Sequence, residues 1–179
     1  MKKILAIGAS NSSDSINKKL ATYTANQFND SEIIVADLTE LVLPLYSTDL
    51  EKEAGIPENA QKFFDLITSA DAIVLSLAEH NGLMTAAFKN LWDWASRIDM
   101  KLWQEKPMLL MATSPGGRGG LNALNTTKSI IPHFGGNVVA EFSLPLFHEN
   151  FSESGIKDES LNTELTDKIN VLKQSIDQK

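Results

Sequence analysis

The sequence predicts an α/β fold in which five parallel strands form one sheet with helices on both faces. Three observations carry this. Short apolar runs alternate with segments whose apolar residues recur at helical spacing. The runs Asp71–Leu77 and Lys106–Thr113 are apolar through their centres, as strands buried on both faces are. The first, third and fourth runs each end in a polar or glycine-rich loop just before a helix, where open α/β sheets bind ligands.

Composition sets bounds on function. A chain of 179 residues suits one domain, 1–179, with a full core. It has no cysteine, which excludes disulfides, thiolate catalysis and Cys-based metal centres. No apolar run is long enough for a membrane helix. A net charge of −7 and the lack of a basic stripe argue against nucleic acid as a partner. The opening Met1-Lys-Lys-Ile-Leu-Ala-Ile-Gly8 is too short in its apolar part for a signal peptide. It reads as the first strand, and the expected location is cytoplasmic.

The first strand is expected over Lys3–Gly8. Ala9 to Asn17 then holds four serines and two asparagines in nine residues. A helix follows, with Ile16, Leu20, Thr24 and Phe28 on its inner face. A hydroxyl-rich loop at a helix N-terminus is a natural phosphate site, because first-turn N–H groups are unpaired and the dipole is positive there. Helix capping by Ser13 or Ser15 is the plainer reading of the same residues. The loop matches neither GxxxxGK[ST] nor GxGxxG, so nucleoside-triphosphate and Rossmann dinucleotide sites are not expected.

The second strand is expected over Glu32–Leu38, centred on Ile33, Ile34 and Val35. A long irregular connection runs from Thr39 to Ile56, with Leu43-Pro-Leu-Tyr46 and the acidic stretch Asp49–Glu53. Pro57 starts a helix that turns Ala60, Phe63, Phe64 and Ile67 inward. The third strand leads into the polar turn Glu79-His-Asn-Gly82. There His80 offers a ring to stack, Asn81 an amide that donates and accepts, and the turn its backbone N–H groups. These types suit a flat aromatic ligand with polar edges. A helix follows to about Asp99, with Phe88, Leu91, Trp92, Ala95 and Ile98 on one face.

The fourth strand ends in Ser114-Pro-Gly-Gly-Arg-Gly-Gly120, whose four glycines let a ligand approach the backbone. A helix carrying Leu121, Leu124 and Ile131 comes next, then a fifth strand over Asn137–Leu144. An irregular tail includes His148-Glu-Asn-Phe151, and a last helix from about Glu159 places Leu161, Leu165, Ile169, Leu172 and Ile176 on one face. His133 and His148 stand alone and read as surface or structural residues. At this size the flavodoxin-like order 2-1-3-4-5 is expected, which opens all three loops at one edge of the sheet.

These loops carry a resemblance. The sequence resembles the NAD(P)H-dependent FMN reductase family, the flavodoxin-like group that includes azoreductases, chromate reductases and quinone reductases. The family's first loop reads roughly G-S-x-R-x-x-S-x-N, and Ser10, Ser15 and Asn17 match it, with Ser12 in place of arginine. Its second motif reads roughly P-E-Y-N-x-S-x-P-G-x-L-K-N-x-x-D-W. Glu79, Asn81, Lys89, Asn90, Asp93 and Trp94 match, while Ala78, His80 and Thr85-Ala86 depart. Its third loop, S-x-G-x-x-G-G, is matched by Ser114, Gly116, Gly119 and Gly120.

The resemblance implies that Ser10, Ser12, Ser15, Ile16 and Asn17 hold the phosphate of FMN. It implies that Ala78, Glu79, His80, Asn81, Ser114, Gly116, Gly117 and Arg118 hold the isoalloxazine. Hydride would pass from NADPH or NADH to flavin N5 and on to a small-molecule acceptor, in ping-pong order. Flavin does the chemistry, so no side chain is expected to act as acid, base or nucleophile, and no metal is expected. Ser12 in place of arginine implies weaker FMN retention. The resemblance also implies a homodimer or homotetramer formed through the helix after the third strand; by type Trp92, Trp94 and Trp103 read as core or near-core residues, and Trp92 and Trp94 would equally suit such a contact. A flavodoxin-type one-electron carrier and a non-catalytic domain of the same fold are the competing functions.

Overall fold

The computed structural model describes residues 1–178. In chain order the elements are β1 (Lys2–Ala9), α1 (Ile16–Ala25), β2 (Ser31–Ala36), α2 (Thr48–Ala54), α3 (Glu58–Ser69) and β3 (Ala72–Leu77). A small hairpin follows, β4 (Glu79–His80) and β5 (Leu83–Met84), then α4 (Ala86–Ala95), β6 (Pro107–Thr113) and α5 (Leu121–Ile130). A 3₁₀ turn at Ile131–Phe134 leads to β7 (Asn137–Leu144), α6 (Phe147–Asn150), the hairpin β8 (Phe151–Ser152) and β9 (Gly155–Ile156), and α7 (Glu159–Asp177).

The main sheet has the order β2-β1-β3-β6-β7, every pair parallel. Numbered by their place in the sheet, these strands run 2-1-3-4-5, as expected. The register pairs Ala9 with Leu77 and Leu77 with Ala112, so the carboxyl ends of β1, β3 and β6 lie side by side. The three candidate loops leave from those ends.

Strand alternation divides the core into two halves. Leu5, Ile7, Ile73, Leu75, Leu77, Met108 and Leu110 point to one face and pack against α3, α4 and α5 through Phe63, Ile67, Phe88, Leu91, Trp92 and Leu124. Ile4, Ala6, Val74, Leu109 and Met111 point to the other face, under Leu20 and Ala21 of α1 and Leu165, Ile169, Leu172 and Ile176 of α7. Phe28 joins this second half from beyond the end of α1.

Several expectations need correction. The connection 39–56 is not irregular throughout: it contains α2, which buries no residue. That helix has no apolar period to betray it. Its ends are legible only as caps, with Ser47 Oγ accepting from Leu50 N and Gly55 at a positive φ of 74°. The helix after the third strand stops at Ala95, so Ile98 lies outside it. The second strand ends at Ala36 rather than Leu38, and because β2 is an edge strand Val35 is 39% exposed. The tail holds α6 and the β8–β9 hairpin.

Of the two readings open for Trp92 and Trp94, the core one holds. Both are buried within the chain, as is Trp103. Trp92 stacks edge-to-face on Trp103, with ring centroids 5.1 Å apart. Trp94 donates Nε1–H to the carbonyl of Pro44 at 2.8 Å. Asn90 joins it there. Its Oδ1 accepts from Tyr46 N at 2.8 Å and its Nδ2 donates to Pro44 O at 3.0 Å. Thus Asn90 and Trp94 clamp the connection after β2 onto α4, while Lys89 and Asp93 pair along the helix at 2.6 Å. The helical part of the second motif secures the fold beside the site.

Candidate functional site

The three loops meet. Ser10, Ser12, Ser15, Ile16 and Asn17 from the first, Ala78, Glu79 and His80 from the second, and Ser114 from the third line one open cleft of about 180 Å³. Asp14, Thr113 and Pro115, not anticipated as site residues, line it too. Asn81, Gly116, Gly117 and Arg118 lie outside that lining, further along the same two loops. The cleft is not the largest concavity. A groove of about 560 Å³ beyond β2 is lined by Val35, Asp37, Lys62 and Leu66 among others. The chemistry of the loops, rather than size, singles out the cleft.

The first loop offers hydrogen-bond donors rather than positive charge. Ser15 caps α1, its Oγ accepting from Lys18 N at 3.1 Å. The first backbone bond of the helix is Lys19 N to Ser15 O. The N–H groups of Ile16 and Asn17 precede it and have no acceptor within the helix. Ser10 Oγ accepts from Ser12 N at 3.2 Å, which orients the loop and leaves the Ser10 hydroxyl hydrogen to donate. The capping reading is therefore right for Ser15, and the donors around it fit a phosphate.

Asn17 has a different place from the one expected. Its side chain is buried and ties the start of α1 to the carboxyl ends of β3 and β6. Asn17 Oδ1 accepts from Ser76 Oγ at 2.7 Å and from Thr113 N at 3.0 Å. Its Nδ2 donates to Thr113 O at 3.1 Å. Both acceptor positions are filled from β3 and β6, so the amide holds the floor of the cleft. Ser76 was not singled out from sequence, because a serine inside an apolar strand gives no signal of its partner.

The second loop is a hairpin rather than a plain turn. β4 and β5 pair antiparallel around Asn81 and Gly82, both at positive φ (53° and 82°). An Asn-Gly pair with both φ positive is the two-residue turn whose twist matches the strands. His80 is exposed on this hairpin, opposite Leu83. Thr85 closes it. The Thr85 hydroxyl donates to Ala9 O at 3.0 Å and accepts from Phe88 N at 3.2 Å, capping α4 and fixing the hairpin to β1. Where the resemblance expects Pro-Gly, Thr85-Ala86 thus makes an ordinary N-cap.

Glu79 reaches across to the third loop. Its Oε2 accepts from the N–H groups of Asn122 and Ala123, both at 3.0 Å. Gly120, at the N-cap of α5, has no side chain to do this. A carboxylate here suits both the free N–H groups and the helix dipole. Arg118 donates to Asn122 Oδ1 at 2.8 Å and is otherwise exposed.

The glycines of the third loop divide into two kinds. Gly119 and Gly120 have positive φ, and a Cβ on either would press on the chain itself, at Ser143 or Ala112. Gly116 and Gly117 have ordinary φ and open space: a Cβ at Gly117 would meet nothing within 4 Å. The fold gives no reason for glycine at these two positions. Close approach of a ligand does. This open cradle, with the free donors of α1, fits a flavin mononucleotide lying from the first loop to the third.

Charge in the cleft is unusual for a phosphate site. The charged residues lining it, among the described residues, are Asp14 and Glu79. Asp14 pairs with Lys19, Oδ1 to Nζ at 2.5 Å, and this bond holds its carboxyl below the usual range. Lys18 is likewise held by Asp37 at the end of β2, and Asp37 is driven down to about 2 by Lys18 and by Thr39. No group of three or more potential metal ligands occurs among the described residues.

A family model for NADPH-dependent FMN reductases matches residues 2–149. The chain belongs to the NADPH-dependent FMN reductase family. The match takes in all three loops and ends within α6. Among curated relatives, it is similar to the NADPH azoreductase of Bacillus sp. (strain OY1-2), 36% identical over 107 residues, 60% of this chain and 56% of that protein. It is also similar to the 2-hydroxy-1,4-benzoquinone reductase of Burkholderia sp, 35% identical over 119 residues, covering 65% and 63% of the two chains. A third is the NADPH:quinone oxidoreductase of Arabidopsis thaliana, 38% identical over 78 residues, 44% and 39% of the two chains. The chain spans about half the length of the curated relatives it matches. Among solved structures, the flavoenzyme NAD(P)H:(acceptor) oxidoreductase FerB from Paracoccus denitrificans superposes with a TM-score of 0.78 at 25% identity, over 99% of this chain and 98% of that one. The loop before α1 and the helix motif on α4 both fall within the matched residues.

Proposed function

We propose that the chain is one FMN-binding domain, 1–179, that transfers reducing equivalents from NADPH or NADH to a small acceptor of the quinone or azo class. One observation carries the reading. Three loops far apart in sequence line a single cleft whose donors suit the phosphate of FMN, and the third loop continues beyond that lining into Gly116 and Gly117, whose open space suits its ring. Family membership and the names of the relatives support it.

The chain's part is binding and orientation. The N–H groups of Ile16 and Asn17 and the hydroxyls of Ser10 and Ser12 hold the phosphate. Ala78 and His80 bound one side of the ring, and Ser114, Gly116 and Gly117 approach from the other. Asn81 and Arg118, outside the cleft lining, frame its rim, where Arg118 favours anionic charge. Bound FMN supplies hydride acceptance and donation, which no side chain here could replace. Donor and acceptor use the same face in turn, so the kinetics are ping-pong. We place the protein in the cytoplasm as a homodimer or homotetramer. Among the described residues no helix is long and apolar enough to cross a membrane. Val42, Leu45 and Leu83 supply exposed apolar surface for self-association.

The test is an anaerobic absorbance experiment on protein reconstituted with FMN and freed of excess. Flavin bands that bleach on NADPH or NADH and return on a benzoquinone support the reading, as do parallel double-reciprocal plots. Bound flavin that ignores both donors but holds a semiquinone under dithionite would make the protein a one-electron carrier. Failure to bind flavin would leave only the fold.

A further inference from the structure

We propose that Asp14 limits how tightly the cleft holds a flavin phosphate, by facing that phosphate directly and by holding the ammonium of Lys19 to itself. The inference rests on the flavin reading above and concerns this chain's own charges.

Asp14 lines the cleft beside Ser10, Ser12 and Ser15, the residues offered to the phosphate. It is exposed, and apart from its pairing with Lys19 no burial keeps its carboxylate from facing an anion there. The other carboxylate in the lining, Glu79, is held away by the N–H groups of α5. The two lysines on the first turns of α1 are both paired, Lys18 with Asp37 and Lys19 with Asp14. Ser12 stands where the resemblance expects arginine. The phosphate end therefore offers dipoles and hydroxyls, one carboxylate, and a cation already held by that carboxylate.

Like unit charges a few ångströms apart at a protein surface lower an affinity by roughly three- to tenfold. A dianionic phosphate would feel Asp14 and compete with it for Lys19. The protein then handles FMN as a ligand that exchanges rather than as a permanently held group. Riboflavin, which has the same ring and no phosphate, would be indifferent to Asp14.

The experiment is a flavin-fluorescence titration of the full chain with FMN and, separately, riboflavin, at 50 mM and 500 mM NaCl. Wild type is compared with Asp14→Asn, Lys19→Gln and the double variant. Both side chains lie on the surface, and matched far-ultraviolet spectra check the fold. The expected result is an FMN Kd roughly three- to tenfold lower in Asp14→Asn, with riboflavin changed less than twofold. High salt should shrink the difference, and adding Lys19→Gln should remove part of the gain. An FMN Kd unmoved by Asp14→Asn, or equal shifts for both flavins, overturns the inference while leaving the flavin reading intact. No saturable flavin binding in wild type or Asp14→Asn overturns both.

Discussion

Glu79 and Asn122 are 43 residues apart, yet Glu79 Oε2 accepts from Asn122 N at 3.0 Å. The same oxygen takes the N–H of Ala123, so the hairpin after β3 caps the helix after β6. The second and third loops are therefore joined through one carboxylate oxygen. Replacing Glu79 by Ala should cost about 1–2 kcal/mol, the usual worth of a helix N-cap. Glu79→Gln, which keeps an acceptor but loses the charge, should cost about half of that. Urea denaturation of both variants checks the order.

Asn17 fills a comparable role between the first loop and the others. Asn17→Ala would leave Thr113 N, Thr113 O and the Ser76 hydroxyl without their partner in a buried place. The loss should be about 3 kcal/mol, read as a fall of about 6–12 °C in Tm for a chain of this size. FMN affinity should fall with it. A Tm within about 2 °C of wild type would show that the amide is not the tie.

Gly8 should tolerate nothing larger. A Cβ there would run into the backbone of Lys18, so α1 would have to move off β1. Gly8→Ala should cost about 2–3 kcal/mol, as overpacking does, and weaken FMN binding more than riboflavin binding, because it displaces the phosphate loop. Titration with both flavins separates that from general instability.

Acid sensitivity should centre on Asp37. Its folded pKa of about 2 lies below the ordinary 3.8, first through its hydrogen bond from Lys18 and then through Thr39. A depressed carboxylate stabilises the fold above its unfolded pKa, and the stabilisation is lost as the pH falls from about 4 towards 2. The pair is partly solvated, at 31% and 27% side-chain exposure. Its worth is accordingly about 1 kcal/mol after screening. Asp37→Asn should lose about that much at pH 6 and almost nothing further at pH 2. Urea midpoints at the two pH values, with and without the substitution, measure it.

Ser12→Arg should restore a charge-assisted contact to the phosphate. A gain of about 1.5–2 kcal/mol in FMN binding is expected, with riboflavin unaffected. Equal FMN affinity in both proteins would show that the first loop does not receive the phosphate.

Much of this was legible in the sequence because the signals were local. The apolar runs of β1, β3 and β6 and the periodic faces of α3, α4 and α7 identify themselves. What escaped was either too short or too long in range. The arms of the β4–β5 hairpin are two residues each, too few to show alternation, although Asn81-Gly82 is its turn. α2 is a polar surface helix with no buried face. The reach of Trp94 to Pro44, and of Asn17 to Ser76 and Thr113, spans 50 to 96 residues and leaves no mark in any window. Loop composition points to the three loops that line the cleft, but it does not separate Asn17 and Glu79, whose side chains are bonded within the fold, from the groups left free to meet a ligand.

The most direct test of the central claim is a ¹⁵N–¹H amide-shift titration of the chain with FMN. The account predicts saturable shifts at Ser12, Ile16, Asn17, His80, Ser114, Gly116 and Gly117, with riboflavin reproducing those at His80 and Gly117 but not those at Ile16 and Asn17. Shifts confined to the larger groove around Val35 and Leu66, or none at millimolar FMN, would contradict it.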